Sequence, residues 1–194
     1  NKERQELTKE GLEEAIEIIE KNNMTKDKVL VVYLEDVHES IAGIIAGRVR
    51  EKYNLPTIIL TKAHDGAKGS GRSIEEYNMF EELLKCKDLL GKFGGHPMAA
   101  GMSIPNENID EFRIRLNNVT TLTDEDIIPK VSIDMGLLLS QINYELIDQI
   151  SLLEPYGKAN PKPTFGMKKL KVVEANILGK NKNVLKLKLS DGRL

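Results

Sequence analysis

The sequence predicts an α/β domain followed by a smaller β-rich module. One observation behind this prediction is a strand–helix–strand pattern early in the chain, and another is an alternation of apolar and polar residues near its end. The third is a division of charge: residues 158–194 hold ten basic and two acidic side chains, whereas residues 1–157 hold 18 basic and 28 acidic ones. A basic end on an acidic chain indicates contact with a polyanion, although a solvated lysine-rich sheet face has the same composition.

The α/β domain is predicted to begin with an amphipathic helix and a βαβ unit. Apolar residues that recur every three to five positions favour a helix over Arg4–Asn22. The unit that follows consists of a buried strand, a helix and a second buried strand, at Val29–Leu34, Glu39–Tyr53 and Thr57–Thr61. These lengths favour a right-handed crossover between parallel strands. In the helix, Gly43 and Gly47 are expected to let another element approach closely.

A glycine-rich polar stretch follows, and apolar periodicity returns after it. Gly66–Ser73 is expected to be a surface turn or a ligand-binding loop. Met79–Leu90 has the apolar spacing of a packed segment, and Ala99–Ile104 favours a short helix or strand. An Asn followed three residues later by Glu matches a capping box, which predicts a helix over Asn108–Val119.

The second module is predicted to follow a polar linker at Thr120–Pro129. Its expected elements are a strand at Val131–Asp134, a helix at Ser140–Ile150, a turn-rich loop at Glu154–Pro163, and strands at Phe165–Ile177 and Val184–Ser190. In the last strand, leucines face one way while Lys186 and Lys188 face the other. A hairpin signal, Asp191-Gly192, lies close to the end of the chain, so we expect the module to be truncated.

Composition excludes several classes of protein. The single cysteine, Cys86, rules out an internal disulfide, favours a reducing compartment and is expected to be a small buried residue. No apolar run reaches the roughly 20 residues of a membrane span, and the first residues do not resemble a signal peptide. A polar start without methionine indicates a piece of a longer protein. The chain has no Walker loop, dinucleotide fingerprint or nucleophile elbow.

Two glycine-rich motifs are candidates for phosphate binding. Gly69-Ser70-Gly71-Arg72-Ser73 offers backbone amides, hydroxyl groups and one guanidinium, although a plain surface turn has the same composition. In Gly94-Gly95-His96 the glycines are expected to form a tight turn that presents the histidine at the end of an element. A structural histidine is the alternative interpretation.

The other histidines are weaker candidates. His38 lies between the first strand and its helix, where open α/β sheets bind ligands, but a helix-capping role accounts for it equally well. His64 is expected to be solvated in a polar loop. Three scattered histidines lack the spacing of a metal site, so we expect the catalytic metal ligands to lie outside this chain.

Taken together, four motifs resemble the RecJ family of DHH phosphoesterases. They are His38-Glu-Ser-Ile-Ala-Gly-Ile-Ile-Ala-Gly-Arg48, Gly69-Ser-Gly-Arg-Ser73, Phe93-Gly-Gly-His-Pro-Met-Ala-Ala-Gly101 and Glu154-Pro-Tyr-Gly-Lys-Ala-Asn-Pro-Lys-Pro-Thr-Phe165. The last motif is more particular to this family than the Gly-Gly-His motif. The resemblance implies a connector helix (residues 1–24), a DHH-associated α/β domain with a mixed sheet and flanking helices (residues 25–122), and a partial, truncated OB-fold module (residues 123–194).

The resemblance also implies a division of labour within a 5′→3′ single-strand DNA exonuclease of DNA repair and recombination. A DHH catalytic domain of the same protein would cleave with manganese or magnesium, and this part would bind single-stranded DNA with no metal of its own. The implied phosphate contacts are Arg4, His38, Ser70, Gly71, Arg72, Ser73, Gly94, Gly95 and His96. The implied DNA-backbone contacts are Lys158, Lys168, Lys169, Lys171, Lys186 and Lys188. We expect such an enzyme in the bacterial cytoplasm, without a membrane partner.

Two other functions remain open at this point. One is a tRNA-binding module like the C-terminal domain of alanyl-tRNA synthetases, which shares the Gly-Gly-His motif but not the Pro155–Pro163 loop. The other is the substrate domain of a DHH phosphodiesterase for short oligonucleotides or cyclic dinucleotides. That function predicts no basic β module.

Overall fold

The chain divides into two compact units, Asn1–Pro129 and Lys130–Leu194, and the computed structural model describes residues 2–192 of it. Within these residues, the first unit is built on a five-stranded mixed sheet. Its strands are β1 (Leu30–Leu34), β2 (Thr57–Ala63), β3 (Gly66–Arg72), β4 (Phe93–His96) and β5 (Ala99–Ile104). Their order is β1-β2-β3-β5-β4, with β1 and β2 parallel and the other neighbours antiparallel. The predicted parallel βαβ unit is confirmed.

Helices cover both faces of this sheet. They are α1 (Lys2–Lys21), α2 (Glu39–Tyr53), α3 (Met79–Leu84) and α4 (Ile109–Val119), with short 3₁₀ turns at Met24–Lys26, Lys87–Leu89 and Asn106–Asn108. On one face, Ile19 of α1 and Ile45 of α2 pack with Ile59 of β2. On the other, Leu83 of α3 and Phe112 of α4 pack against the sheet. All five side chains are fully buried, and each such burial contributes about 1.5–3 kcal/mol.

The glycine-rich stretch that was expected to be a turn or loop is strand β3, at the centre of the sheet. Its odd-numbered residues face the core and its even-numbered residues face α2. A Cβ at Gly69 would lie 2.6 Å from Leu60 and 2.8 Å from Met102, so large neighbours occupy the space that glycine leaves. The prediction was wrong because glycine serves packing here. The turn itself ends at Gly66, whose φ is +106°.

Helix α4 begins without the predicted capping box. The Nδ2 of Asn108 donates to the carbonyl oxygen of Leu89 over 2.9 Å, and Asn108 makes no side-chain cap bond. A 3₁₀ turn over Asn106–Asn108 precedes the helix instead. The capping prediction was wrong because a carbonyl from a distant segment competes for the asparagine side chain, and a local pattern cannot show such a competitor.

The predicted linker is packed against the first unit. Leu122 is buried in the core on the α4 side, and the carbonyl of Ile127 accepts a hydrogen bond of 2.7 Å from Nδ2 of Asn54. Asp124 forms an ion pair with Lys28. The polar composition of the segment concealed these few anchoring residues.

Asn117 of α4 fastens this helix to the entry of β1. Its Oδ1 accepts from the backbone N–H groups of Lys28 (2.8 Å) and Val29 (3.0 Å), and its Nδ2 donates to the carbonyl of Val29 (2.9 Å). We expect Asn117→Ala to lower the free energy of unfolding by about 1–2 kcal/mol, because water replaces only part of these bonds. Urea denaturation followed by circular dichroism measures the loss. An equal loss in Asn118→Ala, at an exposed position of the same helix, would contradict the assigned role.

The second unit consists of short elements and a two-stranded ribbon. The elements are β6 (Met135–Gly136), a 3₁₀ turn (Leu139–Gln141), α5 (Tyr144–Ser151), β7 (Phe165–Gly166), β8 (Lys171–Leu178) and β9 (Val184–Ser190). Strand β6 pairs with β7, and β8 pairs with β9; these sheets do not close into a barrel among the described residues. None of the helices in residues 2–192 is sufficiently long and apolar to span a membrane.

Only part of the predicted secondary structure of this unit is correct. The strand predicted at Val131–Asp134 is wrong, because extended pairing begins at Met135. The strand predicted over Phe165–Ile177 is interrupted before β8, where Lys169 has a φ of +60°. The last predicted strand, Val184–Ser190, is confirmed.

The turn-rich loop at Glu154–Pro163 is held together by Asn160. The Nδ2 of Asn160 donates to the carbonyl oxygens of Leu153 (2.7 Å) and Pro155 (3.1 Å). The backbones of Gly157 and Asn160 exchange two further hydrogen bonds. The motif therefore forms a turn that is held by hydrogen bonds within residues 153–160.

Candidate nucleic-acid interface

Two motifs that are distant in the sequence converge on the sheet face that α2 partly covers. Strand β3 directs Ser70 and Arg72 to this face. Across the sheet, Arg72 pairs with Ala99 of β5, and Ala99 pairs with His96 of β4. Since neighbouring strands lie about 4.8 Å apart, Arg72 and His96 are about 10 Å apart at the backbone. The two predicted phosphate-binding motifs therefore share one surface.

Arg72 and Ser70 form a polar pair under α2, here called the Ser70–Arg72 clamp. Nη1 of Arg72 donates to Oγ of Ser70 (3.2 Å) and to the carbonyl of Gly71 (2.8 Å). The helix residue above the clamp is Gly43, where a Cβ would lie 2.7 Å from Nη2 of Arg72 and 2.9 Å from Oγ of Ser70. The predicted close approach is confirmed at Gly43 and wrong at Gly47, where a Cβ would meet nothing within 4 Å.

The charge of Arg72 is not neutralised by a neighbour. Within residues 2–192, no carboxylate lies within 4.0 Å of its guanidinium, whereas Arg113 and Arg115 each pair with carboxylates. A guanidinium binds phosphate and carboxylate groups through a planar fork of donors. The clamp is therefore able to bind an anion.

The sheet beside the clamp is bare of side chains. Gly101 of β5 lies next to Ser70 and is paired in turn with Gly94 of β4. A Cβ at Gly94 would meet nothing within 4 Å, and one at Gly101 would meet only the carbonyl of Gly69 at 4.0 Å. Internal packing therefore does not require glycine at either position. Two adjacent glycines suit a ligand that approaches the backbone closely.

The turn after His96 is tied to the end of β3. The carbonyl of Met98 accepts a hydrogen bond of 2.9 Å from the backbone N–H of Ser73. The ring of His96 is exposed, and its Nδ1 accepts from the backbone N–H of Met98 over 3.3 Å. In the neutral ring Nε2 then carries the proton, so it is the atom that can donate to a phosphate oxygen.

Gly94 and Gly95 do not form the predicted tight turn. Both are extended residues of the edge strand β4. A Cβ at Gly95 would lie 2.3 Å from the carbonyl oxygen of Ala99 and 2.6 Å from Cα of Ala100, so β4 can lie this close to β5 only with glycine there. His96 stands at the end of a strand, as predicted.

Two residues of the clamp motif point into the protein. Ser73 is buried, and its Oγ donates to the carbonyl of Tyr77 over 2.6 Å. Gly71 faces Met79 of the core, with a Cβ position 3.2 Å from the methionine sulfur. Neither offers a group to a ligand on the clamp side. Ser73 and Gly71 support the clamp, and we leave them out of the proposed phosphate contacts.

His38 and Arg4 both contact Ser40, which lines a cleft of about 420 Å³ together with Ser70. His38 caps α2: its Nδ1 accepts from the backbone N–H of Ser40 over 3.2 Å, while its ring stays exposed. Arg4 of α1 donates from Nη2 to the carbonyl of Ser40 over 3.3 Å. The capping role of His38 is observed, and both residues stand beside the cleft.

Lys68 also lines this cleft, although no motif singles it out. Its Nζ lies 2.7 Å from Oε2 of Glu39, the first residue of α2. The hydrogen bond from Lys68 lowers the pKa of Glu39, because it stabilises the ionised carboxylate. The alternation along β3 could have identified Lys68, because it lies two residues before Ser70 on the same face.

In the second unit, three of the six candidate lysines share one face of the β8–β9 ribbon, here called the lysine face: Lys171, Lys186 and Lys188. The last two alternate with leucines along β9. A register shift between Val172 and Glu174 brings Lys171 to the same face, because Lys171 pairs with Ser190. The other three candidates, Lys158, Lys168 and Lys169, lie in segments between the named elements.

The described residues do not fit a metal centre. Among residues 2–192, no group of three or more His, Cys, Asp or Glu side chains is placed to hold an ion. His64 contacts Asp65 alone at an exposed turn, and the rings of His38 and His96 are each engaged with local backbone N–H groups. No catalytic step is therefore assigned to a metal in this part of the chain.

Comparison with known proteins identifies both units. The DHHA1 domain family matches residues 26–121, and the RecJ OB domain family matches residues 133–193. A single-stranded-DNA-specific exonuclease RecJ from Bacillus subtilis (strain 168) is 36% identical over 191 residues, 96% of this chain. The chain belongs to the RecJ family. The family and fold class predicted from the motifs are thereby confirmed.

Other members of the RecJ family agree with this assignment. The exonuclease RecJ of Haemophilus influenzae is 31% identical over 82% of this chain. A crystal structure of RecJ from Thermus thermophilus in complex with Mg²⁺ matches 100% of this chain with a TM-score of 0.77 and 26% identity. The chain spans 24% of the Bacillus relative, 29% of the Haemophilus relative and 31% of the Thermus chain.

The two glycines of α2 allow a matched test of the clamp. We expect Gly43→Ala to weaken binding of a phosphorylated strand end about tenfold, since the new methyl group displaces Arg72 and Ser70 and removes roughly one charge-assisted hydrogen bond. Gly47→Ala should leave binding unchanged and raise the free energy of unfolding by about 0.5–1 kcal/mol, the usual gain in a helix. Oligonucleotide binding and urea unfolding measure the two effects. Equal binding by both variants would show that the clamp does not contact the phosphate.

Proposed function

We propose that this chain is the DNA-holding part of a 5′→3′ single-strand-specific exonuclease. The Ser70–Arg72 clamp binds the phosphate at a strand end, with Arg4 and His38 beside it. The lysine face of the ribbon, with Lys158, Lys168 and Lys169, follows the backbone. The proposal includes the domain limits 1–24, 25–122 and 123–194, a role in DNA repair and recombination, and a place in the bacterial cytoplasm.

One observation carries this proposal. Arg72 has no carboxylate partner among the described residues and lies beside the hydroxyl group of Ser70. Next to them, Gly94 and Gly101 form a surface without side chains, here called the floor. Such a surface admits a sugar–phosphate backbone and offers its phosphate both charge and hydrogen bonds. The name of the relatives, single-stranded-DNA-specific exonuclease, supports DNA as the ligand.

The distance between the two motifs separates their roles. At the backbone, His96 is about 10 Å from Arg72 across the sheet, so the proposal gives each motif a phosphate group of its own. In the proposal, Arg72 holds the terminal phosphate, and Nε2 of His96 together with Gly94 faces the phosphodiester that is cut, while Gly95 supports β4 from the other side of the sheet. This spacing lets the clamp position a strand for cleavage without taking part in the chemistry.

Cleavage is assigned to a DHH domain of the same protein, with manganese or magnesium. Solved RecJ structures from Thermus thermophilus are in complex with Mg²⁺ and with Mn²⁺, which supports divalent metal chemistry in the whole enzyme. Metals of this class are held by converging oxygen ligands, which residues 2–192 do not provide. We therefore expect this chain alone to bind DNA without cutting it.

The two alternatives are less well supported. A tRNA-binding module accounts for the Gly-Gly-His motif but not for the Asn160-centred turn or the RecJ OB match. A phosphodiesterase for short oligonucleotides does not need the lysine face of the ribbon. Neither alternative accounts for the second unit.

Binding across a salt series tests the proposal. The chain should bind a 5′-phosphorylated single strand more tightly than a duplex or a tRNA acceptor hairpin, with a log–log salt slope of about −0.7 per phosphate contacted. Fluorescence anisotropy measures both, and gel electrophoresis with Mn²⁺ checks for cleavage. Tighter binding of the hairpin would support the tRNA alternative, and cutting by the pure chain would refute the assignment of cleavage to another domain.

A further inference from the structure

The arginines of residues 2–129 divide into two groups. Arg50, Arg113 and Arg115 each lie within 4.0 Å of a carboxylate. Arg4, Arg48 and Arg72 have no carboxylate within that distance among the described residues. The charge of these three guanidinium groups is not offset by a carboxylate of the described residues, so each is able to bind another anion.

The third unpaired arginine, Arg48, shares a cleft with Arg4. The cleft, of about 250 Å³, lies between α1 and α2, and is lined by Arg4, Gln5, Thr8, Ile44 and Arg48. The hydroxyl of Thr8 is engaged with the carbonyl of Arg4 over 2.7 Å, so the two guanidinium groups are the charged donors at this position. Arg48 is exposed, so packing does not explain it.

This cleft is separate from the Ser70–Arg72 clamp and lies next to it along α2. Arg4 reaches Ser40, which lines the clamp cleft, and Ser40, Ile44 and Arg48 follow one another on successive turns of α2. At 1.5 Å per residue, Arg48 lies about 7.5 Å along the helix from Gly43, the helix residue above the clamp. Among the described residues, the two clefts share no lining residue, so they offer a phosphate two different positions.

We propose that Arg48, together with Arg4, binds a second phosphate of the same single strand, an internal phosphodiester beyond the end held by the clamp. This inference rests on the proposed function and extends it along α2. A phosphodiester fits because two arginines and no carboxylate of the described residues line the cleft, and because arginine forks are well suited to phosphate oxygens. The second phosphate fixes the direction of the strand on the domain, which one phosphate alone leaves undefined.

Site-specific neutral linkages test this contact in the full 194-residue chain. The probe is a 5′-phosphorylated oligonucleotide in which one phosphate at a time is replaced by an uncharged methylphosphonate. With the unmodified chain, affinity should fall at the terminal phosphate and at one internal position. In Arg48→Gln, replacing the internal phosphate should no longer lower the affinity. The overall affinity of this variant should be about tenfold weaker, and its log–log salt slope should be shallower by about 0.7.

Matched variants separate the possible outcomes. Lys52→Gln removes one positive charge from the same helix, and replacing the internal phosphate should still lower the affinity of this variant. Arg48→Lys should restore part of the affinity, since charge is kept and the fork is lost. If Arg48→Gln and Lys52→Gln behave alike while Arg72→Gln still weakens binding, the second phosphate contact is refuted and the proposed function stands. If the unmodified chain fails to bind single strands, the proposed function itself is refuted, and this contact with it.

Discussion

Replacing Arg72 by glutamine should lower the affinity for a 5′-phosphorylated single strand by about 10- to 100-fold. The phosphate loses about one charge-assisted hydrogen bond from the guanidinium, of about 1.5–3 kcal/mol, and each 1.4 kcal/mol is a tenfold change. Binding of the same strand with a 5′-hydroxyl end should change little. The ratio of the two dissociation constants is the quantity to measure.

The fold should survive this replacement, because Arg72 is only half-buried and its bonds go to Ser70 and Gly71 within the same strand. Arg115→Gln is the matched control, since it removes an arginine that is already paired with Asp88 and Glu111. In a whole enzyme that includes a DHH domain, Arg72→Gln should reduce cleavage of phosphorylated ends more than of other ends. An equal reduction for both ends would exclude the clamp as the phosphate site.

Adding one methyl group at Gly95 should destabilise the first unit by about 3 kcal/mol. The new Cβ would lie 2.3 Å from a backbone carbonyl of β5, and backbone yields less readily than the end of a side chain. Strand β4 must then move away from β5, and His96 moves with it. Urea unfolding of Gly95→Ala measures the loss, with a parallel fall in DNA binding.

Gly94→Ala should leave the stability nearly unchanged but weaken DNA binding. Its Cβ meets nothing within 4 Å, so the free energy of unfolding should stay within about 0.5 kcal/mol. Binding should nevertheless weaken, because the methyl group stands on the bare floor that the strand approaches. If Gly94→Ala binds DNA as well as the unmodified chain, the floor does not contact the ligand.

The sequence by itself determined the local elements whose periodicity is strong. Helices α1 and α2, the parallel pair β1–β2 and the final strand β9 follow from apolar spacing and strand–helix lengths. Cys86 is buried, as its residue type predicts. The motifs also identified the family, because their residue types and order are unusual as a set.

Sequence patterns failed where a residue's partner is distant along the chain. Strand β3 was expected to be a turn or loop. The pattern of glycines could not show that side chains from Leu60 and Met102 fill the space at Gly69. The capping box predicted at Asn108 does not form, because the asparagine side chain donates to the carbonyl of Leu89 instead. Asn117, which fastens α4 to β1, belongs to no motif at all.

Only the tertiary structure decided which candidate residues act together. The antiparallel register of β3, β5 and β4 places Ser70, Arg72 and His96 on one face and turns Ser73 into the core. Packing of α2 on β3 brings Gly43 over the clamp, and packing of α1 on α2 puts Arg4 beside Arg48. Residue types determine which groups can bind a phosphate. Because sheet register and helix packing depend on the whole core, only the folded chain sets which of these groups face one ligand.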